Sequence, residues 1–381
     1  MKYRNFGSRI DFKPSALGFG AMRFPTIGND SSNIIEKNAI KMMRYAVDNG
    51  VNYIDTAWPY HDGNSEKIVA KALKDGYRDK VKIATKLPSW ELEKVSDLDY
   101  YLDKQLEKLE IDTIDFYLLH ALNKDHFETY KKLDVKSWIN KVKKQSKIKY
   151  IGFSFHDDLQ TFKNIVDYYD KWDFCQIQYN YLNTDYQAGK TGLQYAADKG
   201  LGVIIMEPLL GGRLAEEQPV PIQKIFNSAD IDRTPADWAL QWLWNQPEVS
   251  LVLSGMSNLT QVKENIESAS NSGINSLSSD ELKVIKKVKN KYEDLSPIAC
   301  TGCGYCLPCP NGVNIPGNFT LYNEAKVNEK FDEKNIIYNN RWDNKVKASN
   351  CVACGACEPQ CPQNLEIINL LEKVDNYFAK N

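Results

Sequence analysis

Apolar and β-branched residues recur along the chain in eight short runs, separated by longer stretches of helical periodicity. The runs are 15–20 (SALGFG), 51–57 (VNYIDTA), 81–86 (VKIATK), 113–120 (TIDFYLLH), 150–156 (YIGFSFH), 174–180 (FCQIQYN), 202–208 (GVIIMEP) and 249–256 (VSLVLSGM). Many are nearly continuous in apolar or β-branched residues, the pattern of parallel strands buried on both faces. Between them lie amphipathic stretches such as NIIEKNAIKMMRYAVDNG, with an Asn/Ser start and Gly50 as the C-terminal stop of a helix. Eight strand–helix units predict an α/β fold, a (β/α)8 TIM barrel, over residues 1–295. An open doubly wound sheet competes with it, but no run is followed by a G-x-G-x-x-G fingerprint. The opening KYRNFGSRIDFKPSALG reads as a hairpin that leads into the first strand and closes the barrel bottom. Helical patterns at 258–270 and 279–293 finish the barrel, and Ser296-Pro297 marks a boundary.

Length and charge narrow the function classes. A barrel of about 250 residues plus a smaller module accounts for 381 residues. With 48 basic and 50 acidic side chains, the charge carries no footprint of a nucleic-acid or anionic-membrane partner. A small molecule is the expected partner. No apolar run approaches the roughly 18 residues of a membrane span, and the N-terminus has no apolar h-region, so the chain is expected in the cytoplasm.

The cysteines are the least even feature. Cys175 stands alone and reads as a small core residue, while the other eight of nine fall in two tight groups beyond residue 299. In a reducing compartment such groups hold metal or redox centres rather than disulfides. The second group, Cys351-x2-Cys354-x2-Cys357-x3-Cys361-Pro362, is the ferredoxin run, whose first three thiolates hold one cubane and whose fourth ligates another. The first group, Cys300-x2-Cys303-x2-Cys306-x2-Cys309-Pro310, is one residue shorter before its last cysteine. Zinc prefers two separated C-x2–4-C pairs, which these runs do not resemble. Residues 296–381 therefore read as a small α-rich iron-sulfur, ferredoxin-like domain. Within it PGNFTLYNEAKVNEKF is expected to be helical and to pack on the barrel.

In such a barrel the reacting groups project from the C-terminal ends of strands. Asp55 ends YID, Tyr60 follows in DTAWPY, Lys86 ends VKIATK and His120 ends DFYLLH. Four titratable groups thus converge from three successive strands. An ionisable side chain closing an apolar strand is costly to bury unless paired, so an Asp55–Lys86 contact is expected. Taken singly, each has a plainer use: a structural ion pair, a loop aromatic, a core histidine. Taken in order on matching strands, they point to catalysis.

With DTAWPY, the strand-end Lys86, LLH, IQYN and KENI in order and spacing, residues 1–295 resemble the aldo-keto reductase superfamily. The resemblance implies that Tyr60 is the general acid, Lys86 lowers its pKa, Asp55 holds Lys86, and His120 orients the carbonyl. It implies interconversion of a carbonyl and an alcohol by hydride transfer with NADP(H) or NAD(H). It also carries nicotinamide-amide contacts onto Ser154 and Gln176, phosphate-proximal backbone onto Gly211, Gly212 and Arg213, and adenine contacts onto Glu264 and Asn265. The chain departs from the family at Phe155, where an Asn is usual, at Met206 in place of a stacking Tyr, and at Gln261 in place of an Arg. Resemblance to two-cluster ferredoxins groups Cys300, Cys303 and Cys306 with Cys361, and Cys351, Cys354 and Cys357 with Cys309, around two 4Fe-4S clusters.

A nicotinamide delivers two electrons and a cubane takes one, so a converter between them is missing. A flavin would serve, but no flavin motif is evident. The expected partners are a carbonyl or alcohol substrate and a redox partner protein. The rival reading is an iron-sulfur electron-transfer protein whose barrel is a docking or binding scaffold.

Overall fold

The structure, a computed structural model, describes residues 1–28, 30–295, 298–327 and 330–379. The boundary expected at Ser296-Pro297 lies outside the described residues. All eight predicted strands form: β1 Leu17–Gly20, β2 Tyr53–Asp55, β3 Lys82–Leu87, β4 Ile114–Leu122, β5 Ile148–Phe155, β6 Phe174–Gln178, β7 Gly202–Met206 and β8 Leu251–Gly255. Each pairs in parallel with the next, and β8 returns to β1, closing the barrel. The open-sheet alternative is thereby excluded.

Helices follow the strands as their periodicity predicts. In Glu36–Asp48 the buried Ala39, Met42, Met43, Ala46 and Val47 recur at spacings of three and four. Gly50, with φ +94, ends that turn in a region that other residues avoid. Asn123, Asp158 and Asn258 cap the helices after β4, β5 and β8, each accepting a backbone N–H three residues on.

The barrel interior is filled from below. Tyr53, Ala84, Phe116, Phe174, Ile204 and Leu251 form one buried cluster with Phe6 from the opening segment. Phe6 stacks on Phe116 at 5.2 Å between centroids, and a Cβ on Gly202 would sit 2.0 Å from its ring. The opening segment does fold back antiparallel, with Tyr3 bridging Ser15, but as an isolated bridge rather than a regular hairpin. Buried Arg4 anchors it by donating to the carbonyls of Val249, Trp244 and Gln246 at 2.7–2.9 Å. Those acceptors include carbonyls at a helix C-terminus, where a cation is favoured.

This lower cluster decides what the upper rim presents. Side chains alternate along a strand, so residues two positions beyond the inward cluster also face inward. From Tyr53, Ala84 and Phe174 that step leads to Asp55, Lys86 and Gln176, and from Phe116 two such steps lead to His120.

Two compact units divide the chain: residues 1–208 with 239–277, and residues 209–238 with 278–381. The second unit has its own core, in which Phe319 and Tyr322 of helix Ile315–Val327 join Leu371, Val374 and Phe378 of helix Ile367–Ala379. The helix expected in PGNFTLYNEAKVNEKF forms, and its buried side chains belong to that core. Buried Asn318 accepts from Ala348 N at 2.9 Å and donates to Val346 O at 2.8 Å. It thereby draws the approach to the second cysteine group onto the helix that follows the first.

Phe6→Ala removes the ring that fills the barrel floor. It is expected to lower the urea-unfolding free energy by about 3–5 kcal/mol, the usual cost of an aromatic truncated in a packed core. Iron content per folded chain should be unchanged.

Candidate active site and cluster cavities

The inward row places two charges, a phenol and an imidazole close together. Lys86 Nζ donates to Asp55 Oδ1 at 2.6 Å, to the Thr56 carbonyl at 2.8 Å and to the Tyr60 hydroxyl at 3.2 Å. Both partners of the ion pair are buried, with side chains 1% and 4% exposed. The three bonds use all three ammonium protons and fix the amine as a tripod. Tyr60 lies edge-on to His120 at 6.1 Å, and Trp90 lies 5.1 Å from the same imidazole. The predicted tetrad is therefore assembled at one end of the barrel.

Burial shapes its protonation. It pulls the Lys86 amine below its ordinary range, opposed by Asp55 and then Glu66, and it pushes Asp55 up, opposed by Lys86. His120 is driven well below its ordinary range by burial, then by Lys86, His156 and His126, so its ring stays neutral and can donate one hydrogen bond. Its Nδ1 is buried without a hydrogen-bond partner among the described residues. The Lys86 ammonium, which donates to the Tyr60 hydroxyl, favours the phenolate, but it does not set the net direction of the Tyr60 pKa. Burial raises it well above the ordinary range, Asp55 and Glu207 add to the rise, and Arg23 opposes it. The phenol is thus held in its proton-bearing form.

Arg23, which follows β1, and Glu207, which follows β7, act on Tyr60 but were not singled out from the sequence. Glu207 carried the same signal as Asp55, a charge closing an apolar strand. His156 follows β5. Burial lowers it to about 4, and Gln187 contacts it at 3.4 Å.

Ser154 and Gln176 are register neighbours across β5 and β6. Ser154 Oγ accepts from Ala121 N at 2.7 Å, and Gln176 Nε2 reaches Met206 Sδ at 3.6 Å. Gln176 Oε1 is buried with no hydrogen-bond partner among the described residues, an acceptor left for an amide donor. Asn265 is buried and donates to Ser254 Oγ at 2.9 Å, whereas neighbouring Glu264 is exposed. Gln261 Oε1 accepts from Ser257 N at 2.8 Å, so it folds back on its own helix start.

Gly211, Gly212 and Arg213 belong to the second unit. Gly211 has φ +70, and a Cβ there would lie 2.3 Å from Thr301 O. Arg213 donates to Ile298 O at 3.1 Å. The loop read as a phosphate neighbour is thus packed on the segment that enters the first cysteine group.

The cysteines gather in two cavities. Cys300, Cys303, Cys306 and Cys361 line one; Cys309, Cys351, Cys354 and Cys357 line the other; Ile315 borders both. The shorter first group does not prevent the exchange of fourth ligands. Burial pushes Cys306 up to about 12, followed by Cys303, Cys300 and Cys361, so the four sulfurs share one low-dielectric space. Thiols held this way would lose their protons to solvent as their thiolates bind a cationic cluster. Four sulfurs per cavity suit one cubane each.

Fold and site together define a barrel oxidoreductase with an appended iron-sulfur module. The chain belongs to the Aldo/keto reductase family, whose model it matches over residues 16–290, and residues 299–366 match the 4Fe-4S dicluster domain. It is 28% identical over 276 residues to L-galactose dehydrogenase of Arabidopsis thaliana, covering 67% of this chain and 84% of that protein. It is 29% identical over 259 residues to the NADH-specific methylglyoxal reductase of Escherichia coli, covering 57% and 78%. Among solved structures, an aldo-keto reductase from Bacillus halodurans in its holo form matches with a TM-score of 0.60 and 25% identity, over 76% of this chain and 96% of that one. Among the described residues no helix is long and apolar enough to cross a membrane.

Anaerobically purified protein should contain about eight iron and eight acid-labile sulfide per chain. Cys361→Ser, although it sits in the second sequence group, should deplete the cluster of Cys300, Cys303 and Cys306. Iron and sulfide assays with EPR of the remaining cluster check this.

Proposed function

We propose that this enzyme interconverts a small carbonyl compound and its alcohol by hydride transfer with NAD(P)(H), using Asp55, Tyr60, Lys86 and His120. The observation that carries the reading is the buried fork from Lys86 to Asp55 and Tyr60, at 2.6 and 3.2 Å. When bound, the nicotinamide supplies or accepts the hydride. Ser154 and the unsatisfied Gln176 Oε1 suit its carboxamide, and Glu264 and Asn265 are assigned to adenine. The folded-back Gln261 brings no cation to a 2′-phosphate, so it gives NADP(H) no advantage over NAD(H).

In the reducing direction, neutral His120 donates a hydrogen bond that orients the substrate carbonyl. Tyr60 gives its proton to the carbonyl oxygen as the carbon accepts hydride. Lys86 then stabilises the phenolate, and Asp55 keeps Lys86 charged and in place. In the oxidising direction the phenolate takes the alcohol proton. The named relatives, one a dehydrogenase of a sugar and one a reductase of a small dicarbonyl, are consistent with a small polar substrate. The reading of the barrel as a bare docking scaffold is not favoured, because four ionisable groups would be desolvated there without use.

We place the domains at 1–295 and 296–381, supported by family matches that end at 290 and begin at 299. Eight clustered thiols fit the reducing cytoplasm. The clusters suit a one-electron redox partner protein, and the near-neutral charge argues against a nucleic-acid partner.

Tyr60→Phe should lower kcat by about 10²–10⁴-fold, the range for a lost general acid, with KM little changed. Because burial raises the Tyr60 pKa, the phenol stays protonated through neutral pH. Carbonyl reduction should therefore be flat there and fall only where Lys86 loses its proton. Alcohol oxidation, which needs the phenolate, should climb with pH until Lys86 deprotonates. Stopped-flow pH profiles in both directions, with a carbonyl and alcohol panel, test the assignment.

A further inference from the structure

A second carboxylate lies behind the tetrad, on the outer side of the strand that carries Lys86. Glu66 is fully buried in the first turn of helix Ser65–Ala72. Its Oε1 accepts from Thr85 Oγ1 at 2.7 Å and from Gln105 Nε2 at 2.7 Å. Its Oε2 lies 3.4 Å from Lys108 Nζ. The same Gln105 amide donates to the backbone carbonyl of Lys86 at 3.0 Å, and Gln105 Oε1 accepts from Tyr117 OH at 2.6 Å.

Side chains alternate along β3, so Thr85 faces the helices while Lys86 faces the barrel interior. The network therefore grips β3 from outside at the residue whose amine works inside. It joins three elements, since Glu66 comes from the helix after β2, Gln105 and Lys108 from helix Val95–Leu109, and Tyr117 from β4. Asp55, Tyr60 and Glu66 lie within twelve residues, so one β–helix connection brackets both faces of Lys86.

A buried carboxylate is costly, and Lys108 satisfies it only in part. Lys108 Nζ also stands 3.5 Å over the Trp58 ring, so it does not serve Glu66 alone. Hydrogen bonding of β3 to the helices could be met by a neutral side chain. Burial raises the Glu66 carboxyl above its ordinary range, opposed by its bonds from Thr85 and Gln105 and then by Lys108; its ionised form, which a neutral side chain lacks, acts on Lys86 after Asp55.

We propose that Glu66 is a positioning residue for Lys86: it fixes the strand backbone from which the amine projects and adds the second negative charge that keeps the ammonium protonated. The groups facing Lys86 are Asp55, Tyr60 and His120 on the inside and Glu66 on the outside. Those facing Glu66 are Thr85, Gln105, Lys108 and, through Gln105, Tyr117. The consequence for turnover rests on the proposed hydride chemistry; the proton affinity of Lys86 does not.

Glu66→Gln keeps the size and most of the hydrogen bonding but removes the charge. In the full-length, cluster-loaded protein it should move the alkaline limb of carbonyl reduction to lower pH by about one unit and lower kcat about tenfold, with KM within about threefold. Independently of turnover, the pH titration of the Lys86 ε-carbon, read by NMR in protein labelled with 13C-lysine, should show its midpoint displaced in the same direction. Gln105→Leu, which keeps the charge but cuts the bridge to the Lys86 carbonyl, should lower kcat with the midpoint of wild type. A displaced midpoint in protein that turns over no carbonyl would support the role of Glu66 and sink the hydride reading. A Glu66→Gln protein that only melts at lower temperature, with pH limb and midpoint unmoved, would overturn the inference. So would an unchanged kcat in Gln105→Leu, should Glu66→Gln not fold.

Discussion

The site depends on keeping one ammonium charged where water does not reach. Lys86 is fully buried at the rim of an apolar barrel, where an unpaired charge would neutralise itself. Asp55 opposes that by direct contact, and the Thr56 carbonyl and Tyr60 hydroxyl take the remaining protons. Removing one partner of such a pair leaves an uncompensated charge, so the pair is fragile as a stabilising device. Its value lies in fixing a cation beside a phenol. The raised Tyr60 pKa then follows without contradiction: the same burial that makes the phenol hold its proton makes the ammonium valuable once the proton has left.

Much of this was legible in the chain because period-two burial and the barrel's end rule are strong constraints. The row from Tyr53 to Asp55, and those ending in Lys86 and His120, could be read from charged residues that close apolar runs. Glu207 and Arg23 carried similar marks but lie one and three residues beyond their strands, where the alternation no longer fixes a direction. Glu66 was invisible for another reason. It falls in the first turn of a helix, where an acidic residue is expected for the macrodipole alone, and its burial depends on Gln105 and Tyr117, which are distant in sequence.

The cysteine module shows the complementary case. Spacing singled out the candidate ligands, and the structure lines one cavity with Cys361 and the first three cysteines and the other with Cys309 and the remaining three. The loop at 209–213 was read as exposed backbone near phosphate. Its close approach to Thr301 shows why a glycine pair alone is a weak signal, since close packing of backbone on backbone demands glycine as much as an anion does.

The two chemistries of the chain obey different rules. Hydride transfer moves an electron pair with a proton supplied by Tyr60, and the tetrad is built to manage that proton. A cubane moves one electron and needs no proton donor. In the tetrad and beside it, Lys86 spends its three donors, His120 stays neutral, and Gln176 keeps one acceptor open. On the proposed function the tetrad manages the proton of carbonyl chemistry, a task that a one-electron cluster does not share.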